Sequence, residues 1–183
     1  AGQGRLTVIA GIEITTCEEV HILGLFPDAG RAQEIGAAVA ETLPNLLDGT
    51  KRYGEQYLID SEGHILGTES KMLAMASGFS LSETVNLIRR NEGLAIASHV
   101  DRPSFSVMSQ LGLFPTDVRF DAIEISAAGV SECRYEEFTS LGLPMVTSSD
   151  SHFLSDIGIC RTVFELVEPS FDEIALAFRN AEG

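Results

Sequence analysis

Cysteine is scarce in this chain of 183 residues, which contains only three residues of that type. Cys17, Cys133 and Cys160 lie far apart and form no Cys-x-x-Cys pair, so the sequence suggests neither a disulfide framework nor a thiolate zinc site. The pattern favours a reducing, cytoplasmic location. The chain also lacks an apolar run of the ~20 residues that a membrane-spanning helix needs. We therefore expect no membrane partner.

Basic residues are also few, since 12 Lys and Arg stand against 27 Asp and Glu, for a net charge of −15. Such a surface repels a phosphate backbone unless cations are concentrated locally. We therefore expect a small phosphorylated substrate and no extended nucleic acid, and nonspecific nuclease action is disfavoured. Glycine-rich loops of the GxxxxGK[ST] or GxGxxG kind are missing as well, so a nucleotide cofactor has no support.

Apolar segments of strand length alternate with helical patterns along the chain. This alternation predicts an α/β fold of repeated β-α units around a parallel sheet, and the length suits a single domain over residues 1–183. The predicted strands cover residues 6–14, 20–26, 94–98, 122–125, 145–148 and 159–166. Helices are predicted at 31–43, 69–77, 80–93, 105–111, 132–141 and 170–178, and a hairpin with a polar turn at 52–68.

Histidines and acids fall at or near the ends of several predicted strands. The five residues of this kind are Glu13, His21, His99, Asp150 and His152. Because the C-terminal ends of parallel strands share one face of a sheet or barrel, we expect these side chains to converge. Carboxylate and imidazole groups are ligands for zinc, manganese or iron, and a carboxylate such as Glu13 can bridge two ions.

Several of these residues also have a purely structural explanation. Asp150 could cap a helix and leave His152 on the surface, and His99 could be a core histidine bonded to the backbone. His21 is harder to explain in this way, because an imidazole buried in an apolar run needs a polar partner. Arg102, three residues beyond His99, could form bidentate hydrogen bonds with a substrate phosphate. The alternative is that Arg102 forms a surface salt bridge.

Four segments together resemble the later motifs of the polymerase and histidinol phosphatase (PHP) superfamily. In chain order they are Gly11-Ile12-Glu13-Ile14, His21-Ile22-Leu23-Gly24-Leu25-Phe26, Ala97-Ser98-His99 and Ser149-Asp150-Ser151-His152. The resemblance implies a distorted β/α barrel of the seven-stranded PHP type, with up to three divalent metal ions at the C-terminal strand ends. It further implies that Glu13 bridges two metals, that His21 and His99 complete the second, that Asp150 binds the first and that His152 binds a third.

Two earlier motifs of that superfamily, a His-x-His pair and an Asp-His pair, do not precede Gly11. We therefore expect that roughly 50 to 60 N-terminal residues are absent and that the barrel is incomplete, because two β-α units need about that length. An open barrel edge makes self-association possible.

The leading hypothesis from the sequence is a metal-dependent phosphoesterase. It would hydrolyse a small phosphorylated metabolite or a short nucleotide ester through a metal-bound hydroxide, with Arg102 holding the phosphate. The alternative is a non-catalytic PHP-like module that binds metal or a phosphorylated ligand for regulation. Metal retention without hydrolysis would favour that alternative.

Overall fold

The fold is built on a five-stranded mixed sheet, seen in a computed structural model that describes residues 6–45 and 54–181. The strands are β1 (Ala10–Thr15), β2 (His21–Phe26), β3 (Tyr57–Ile59), β4 (Ile65–Thr68), β5 (Leu94–Ala97), β6 (Ala122–Glu124) and β7 (Met145–Val146). The helices are α1 (Ala29–Thr42), α2 (Leu81–Arg90), α3 (Val107–Leu111), α4 (Ala127–Ser131) and α5 (Phe171–Ala181), with 3-10 segments at Arg134–Leu141 and Leu154–Asp156. Within the described ranges, no helix combines the length and apolarity needed to cross a membrane.

The central sheet has the strand order β1-β2-β5-β6-β7. The pairs β1/β2 and β2/β5 are antiparallel, whereas β5/β6 and β6/β7 are parallel. The predicted α/β class with a parallel component is confirmed. The predicted β-α unit is wrong at the start of the sheet, because no helix separates β1 from β2. A parallel crossover needs a dozen or more residues, and the short segment between β1 and β2 instead forms a tight turn in which Glu19 has φ 62° and Thr16 N–H donates to Val20 O at 2.8 Å.

Side chains of the central strand β5 alternate between two apolar clusters, as the pleat of a strand requires. Ala95 and Ala97 belong to a cluster with buried residues of α1 and α2, such as Ile35 and Ile88. Leu94 and Ile96 belong to the other cluster, which α5 covers with its buried residues Ala175 and Phe178. Helices therefore fix both faces of the strand that leads to His99.

The predicted hairpin is confirmed as the antiparallel pair β3/β4, apart from residues 52 and 53, which lie outside the described residues. Its turn is closed by Asp60, whose Oδ1 accepts the N–H groups of Glu62 at 2.8 Å and His64 at 2.9 Å. The exposed His64 therefore has a structural role in this turn.

Two other predicted elements are not present as predicted. Residues 69–77 do not form a helix, because the side chain of Gln56 binds this segment in an open conformation, donating to Lys71 O at 2.5 Å and accepting from Leu73 N–H at 3.0 Å. Residues 159–166 do not pair as a strand. The single-domain assignment for 1–183 stays a prediction.

Two helical glycines should respond in opposite ways to alanine. A Cβ on Gly129 in α4 would lie 2.8 Å from Asp101 Cγ and closer still to its Oδ2, whereas a Cβ on Gly36 in α1 would meet only Ile12 Cδ1 at 3.8 Å. Overpacking costs about 1–3 kcal/mol, while Gly→Ala in a roomy helix gains about 0.4–1 kcal/mol. Urea titration should therefore show that Gly129→Ala lowers the free energy of unfolding and that Gly36→Ala raises it. Stabilisation by both changes would contradict the packing described around Asp101.

Candidate metal centre

Glu13, His21 and His99 bring three potential metal ligands together at one edge of the sheet. One ligand atom from each residue lies within 4.8 Å of the other two. The Oε1 atom of Glu13 is 3.3 Å from His21 Nδ1 and 3.7 Å from His99 Nε2, and the two imidazole rings meet edge to face with their centroids 5.3 Å apart. Three of the five predicted ligands thus converge.

The strands explain this convergence. Thr15 at the end of β1 pairs with His21 at the start of β2, so Glu13 and His21 lie at the same edge of the sheet. His99 reaches that edge just beyond β5, the next strand in the sheet, and Ser98 N–H donates to His21 O at 3.2 Å.

Phe105 supports the imidazole of His21. Its ring stacks on His21 with centroids 4.9 Å apart, and its carbonyl oxygen accepts the N–H of His21 at 2.9 Å. Phe105 has a positive φ of 57°, which is unfavourable for an aromatic residue and occurs where the surroundings hold it. The sequence alone does not reveal this contact.

Electrostatics favour the protonation states that bind cations. The hydrogen bond with His21 lowers the pKa of Glu13 below its ordinary value, and this outweighs the opposing effect of partial burial. Burial lowers the pKa of His99, and the positive charge of Arg102 lowers it further. Near neutral pH the group therefore offers a carboxylate and a neutral imidazole, the forms that coordinate metals.

The donor set fits a divalent metal. Two imidazoles and a carboxylate with open positions suit zinc, iron or manganese. Nε2 of His99 faces Glu13 Oε1 at 3.7 Å, which is too far for a hydrogen bond between them, and Nδ1 of the same ring is buried without a hydrogen-bond partner among the described residues. The residues present can thus hold such an ion.

Asp150, His152 and Arg102 do not belong to the three-residue group. Asp150 Oδ2 is 2.7 Å from Arg102 Nη2, and Arg102 is close enough to affect the pKa of His99. The exposed His152 contacts the backbone oxygen of Asp150 through Nδ1 at 2.9 Å. Ligand roles for Asp150 and His152, and the phosphate-binding role of Arg102, stay predictions.

Glu124 is a buried carboxyl group beside the centre that the sequence reasoning missed. Burial raises the pKa of Glu124 above its ordinary value, and the negative charges of Glu13 and Asp150 act in the same direction, against hydrogen bonds from Ser148 and the His99 backbone. The available signal was a single charged residue inside the apolar segment 122–125, because a buried carboxyl needs polar partners.

Comparison with known proteins gives matches to a sequence family and to solved structures. The profile of a family described as PHP-associated matches residues 136–182. The lesion-specific endonuclease PfuEndoQ from Pyrococcus furiosus is similar in structure, with a TM-score of 0.60, 18% identity, and coverage of 93% of this chain and 38% of that chain. The complex of Endonuclease Q with a 27-mer duplex substrate that has an abasic lesion at the active site gives a TM-score of 0.55 and 16% identity, with the same coverage of 93% and 38%. No curated protein sequence matches the chain significantly.

The resemblance to the PHP superfamily is confirmed. The PHP-associated match at 136–182 contains Asp150 and His152, and the similarity to Endonuclease Q extends over nearly all of this chain. At these identities the structural similarity concerns the fold alone, and this chain spans 38% of the length of each solved chain. The seven-stranded barrel and its incompleteness stay predictions.

The expectation of a small substrate and no extended nucleic acid is wrong. Both similar structures are endonucleases, and one is bound to a 27-mer duplex. The net charge of −15 is a sum over the whole protein, whereas the potential that a bound phosphate experiences depends on the few charges and metal ions near its binding site. Net charge alone therefore cannot exclude a DNA substrate.

Proposed function

We propose that this chain contributes the metal centre of a metal-dependent phosphodiesterase that cleaves DNA at damaged positions. The observation that carries the proposal is the group of Glu13, His21 and His99, whose ligand atoms lie within 4.8 Å of one another. The DNA substrate is inferred from the similarity in fold to lesion-specific Endonuclease Q.

Five residues of this chain would serve as metal ligands. Glu13, His21 and His99 would hold a divalent ion, and Asp150 and His152 would supply further ligands to the same centre. A bound ion of this kind promotes ionisation of a water molecule and polarises a phosphoryl oxygen.

Arg102 would position the scissile phosphate beside this group. It lies three residues after His99, and its guanidinium contacts Asp150 at 2.7 Å through Nη2. The other N–H groups of a guanidinium form a planar fork that matches phosphate oxygens. Arg102 would therefore orient the substrate and offset the charge of the phosphate next to the carboxylates.

The proposal predicts a metal requirement that is specific for damaged duplex. The full natural-length protein is incubated with an end-labelled 27-mer duplex, like that in the Endonuclease Q complex, with one abasic site or none. We expect strand cleavage near the lesion with added Mn²⁺, Mg²⁺ or Zn²⁺, no cleavage after treatment with EDTA, and recovery when the metal is restored. The undamaged duplex is the matched control.

Two outcomes would count against this function. Cleavage that survives complete metal removal would exclude a role for the centre in hydrolysis. Retention of metal without cleavage of either duplex would instead favour the non-catalytic alternative, in which the centre binds metal or a phosphorylated ligand for regulation.

A further inference from the structure

A single buried carboxyl group connects the two parts of the chain that carry predicted ligands. Glu124, which is 6% exposed, ends β6 between β5 and β7. Its Oε2 accepts the N–H of His99 at 3.1 Å, and its Oε1 accepts the hydroxyl of Ser148. His99 follows β5, and Ser148 precedes Asp150 by two positions. One side chain therefore joins the ends of β5 and β7.

The two joined segments both contain strained backbone. His99 has φ 29° and Asp150 has φ 43°. Residues other than glycine adopt such positive φ values at an energetic cost and only where surrounding contacts hold them. Glu124 contacts the backbone at His99 and at the next residue. Its side chain accepts the N–H of His99, and its backbone oxygen accepts the N–H of Val100 at 2.9 Å.

We propose that Glu124 is a positioning residue that sets the direction of the His99 imidazole and the place of the Asp150 segment relative to Glu13. The inference rests on the proposed function, because it concerns the same metal centre. Groups outside the first coordination shell that orient ligands typically change metal affinity about 10- to 100-fold when they are removed. Glu124 acts on the ligand backbone, so its effect should appear in the geometry of the bound metal as well as in the affinity.

Asp121 offers a matched control at the other end of the same strand. Its Oδ2 accepts the N–H of Ala95 at 2.8 Å, and its Oδ1 pairs with Arg89 at 2.5 Å. Asp121 therefore also ties β6 to β5, but at the edge of the sheet opposite the metal centre. Its removal should destabilise the fold without changing how a metal is held.

The test measures metal binding by the full natural-length protein and its variants. Mn²⁺ affinity is determined by calorimetry, and the visible absorption of bound Co²⁺ reports the ligand geometry. We expect Glu124→Ala to weaken Mn²⁺ binding about 10- to 100-fold and to shift the Co²⁺ bands. Glu124→Gln should restore both, because its amide can accept from the His99 N–H and donate to the Ser148 hydroxyl. Asp121→Ala should leave affinity and spectrum unchanged.

The outcomes separate this inference from the proposed function. Absence of metal binding by the unaltered protein would refute the proposed function itself. Normal binding by the unaltered protein, with Glu124→Ala indistinguishable from it or with Asp121→Ala equally impaired, would overturn only the positioning role.

If Glu124→Ala fails to fold, Ser148→Ala removes one of the two hydrogen bonds that fix the carboxyl group, and we expect it to weaken binding about 2- to 10-fold. Unchanged affinity and spectrum in Ser148→Ala would then overturn the inference.

Discussion

Replacing His99 with alanine is expected to lower the affinity for Mn²⁺ or Zn²⁺ by at least about 100-fold, since loss of even an outer-shell partner typically costs 10- to 100-fold. His99 is nearly fully buried, and its Nε2 lies 3.7 Å from Glu13 Oε1 in the three-residue group. Among the described residues, the group contains one other imidazole, that of His21, and His21 is already one of its three ligands. Calorimetric titration of the variant checks the prediction, and cleavage of the abasic duplex should fall at least as far.

His64→Ala is the matched control for this experiment. Its imidazole is 69% exposed and binds Asp60 in the β3/β4 turn, far from the three-residue group in the chain. Metal affinity and cleavage should therefore stay at the wild-type level. Equal loss in both variants, or no loss in His99→Ala, would show that the group at the sheet edge does not bind the functional metal.

Replacing Phe26 with alanine is expected to cost about 3–5 kcal/mol of unfolding free energy. Phe26 ends β2, is 1% exposed, and packs so closely that a Cβ on Gly93 would lie 2.6 Å from its ring. Structure around a deleted buried ring usually relaxes only in part, so a cavity remains. Because a whole domain is stable by only about 5–15 kcal/mol, this one change should remove a large part of the total, as a urea titration can measure.

Phe153→Ala makes the corresponding deletion on the surface. Phe153 is 74% exposed, and surface substitutions usually change stability by less than about 0.5 kcal/mol. Similar losses in the two variants would mean that the apolar cluster around Phe26 does not stabilise the fold as described.

Glu13, His21 and His99 do come together as the sequence predicts, but the strand directions that bring them together differ from those predicted. Glu13, His21 and His99 stood out because each borders or interrupts an apolar strand, and convergence was expected from parallel strand ends. The structure instead reverses β2 relative to β1 and β5. Since His21 starts an antiparallel strand, the reversal brings it to the edge where the neighbouring strands end.

Other features could not be predicted because they depend on partners that are remote in sequence. Glu124 gains its role only when His99 N–H and the Ser148 hydroxyl reach the same carboxyl group. The same limit explains the wrong helix at 69–77, where local propensity favoured a helix but the side chain of Gln56 binds the backbone. Pattern and propensity describe neighbours along the chain, and these contacts join segments that only the fold brings together.

The order of the strands also has a kinetic consequence. Glu13 and His21 belong to the β1/β2 hairpin, a unit of a kind that forms within about 1–10 μs. His99 joins them only when β5 docks on β2, after the long intervening loop through α1, β3, β4 and α2 has closed, and such non-local pairing slows folding. Capture of a metal by all three residues therefore marks the moment at which β5 docks, and a metal-sensitive signal can time that step during refolding.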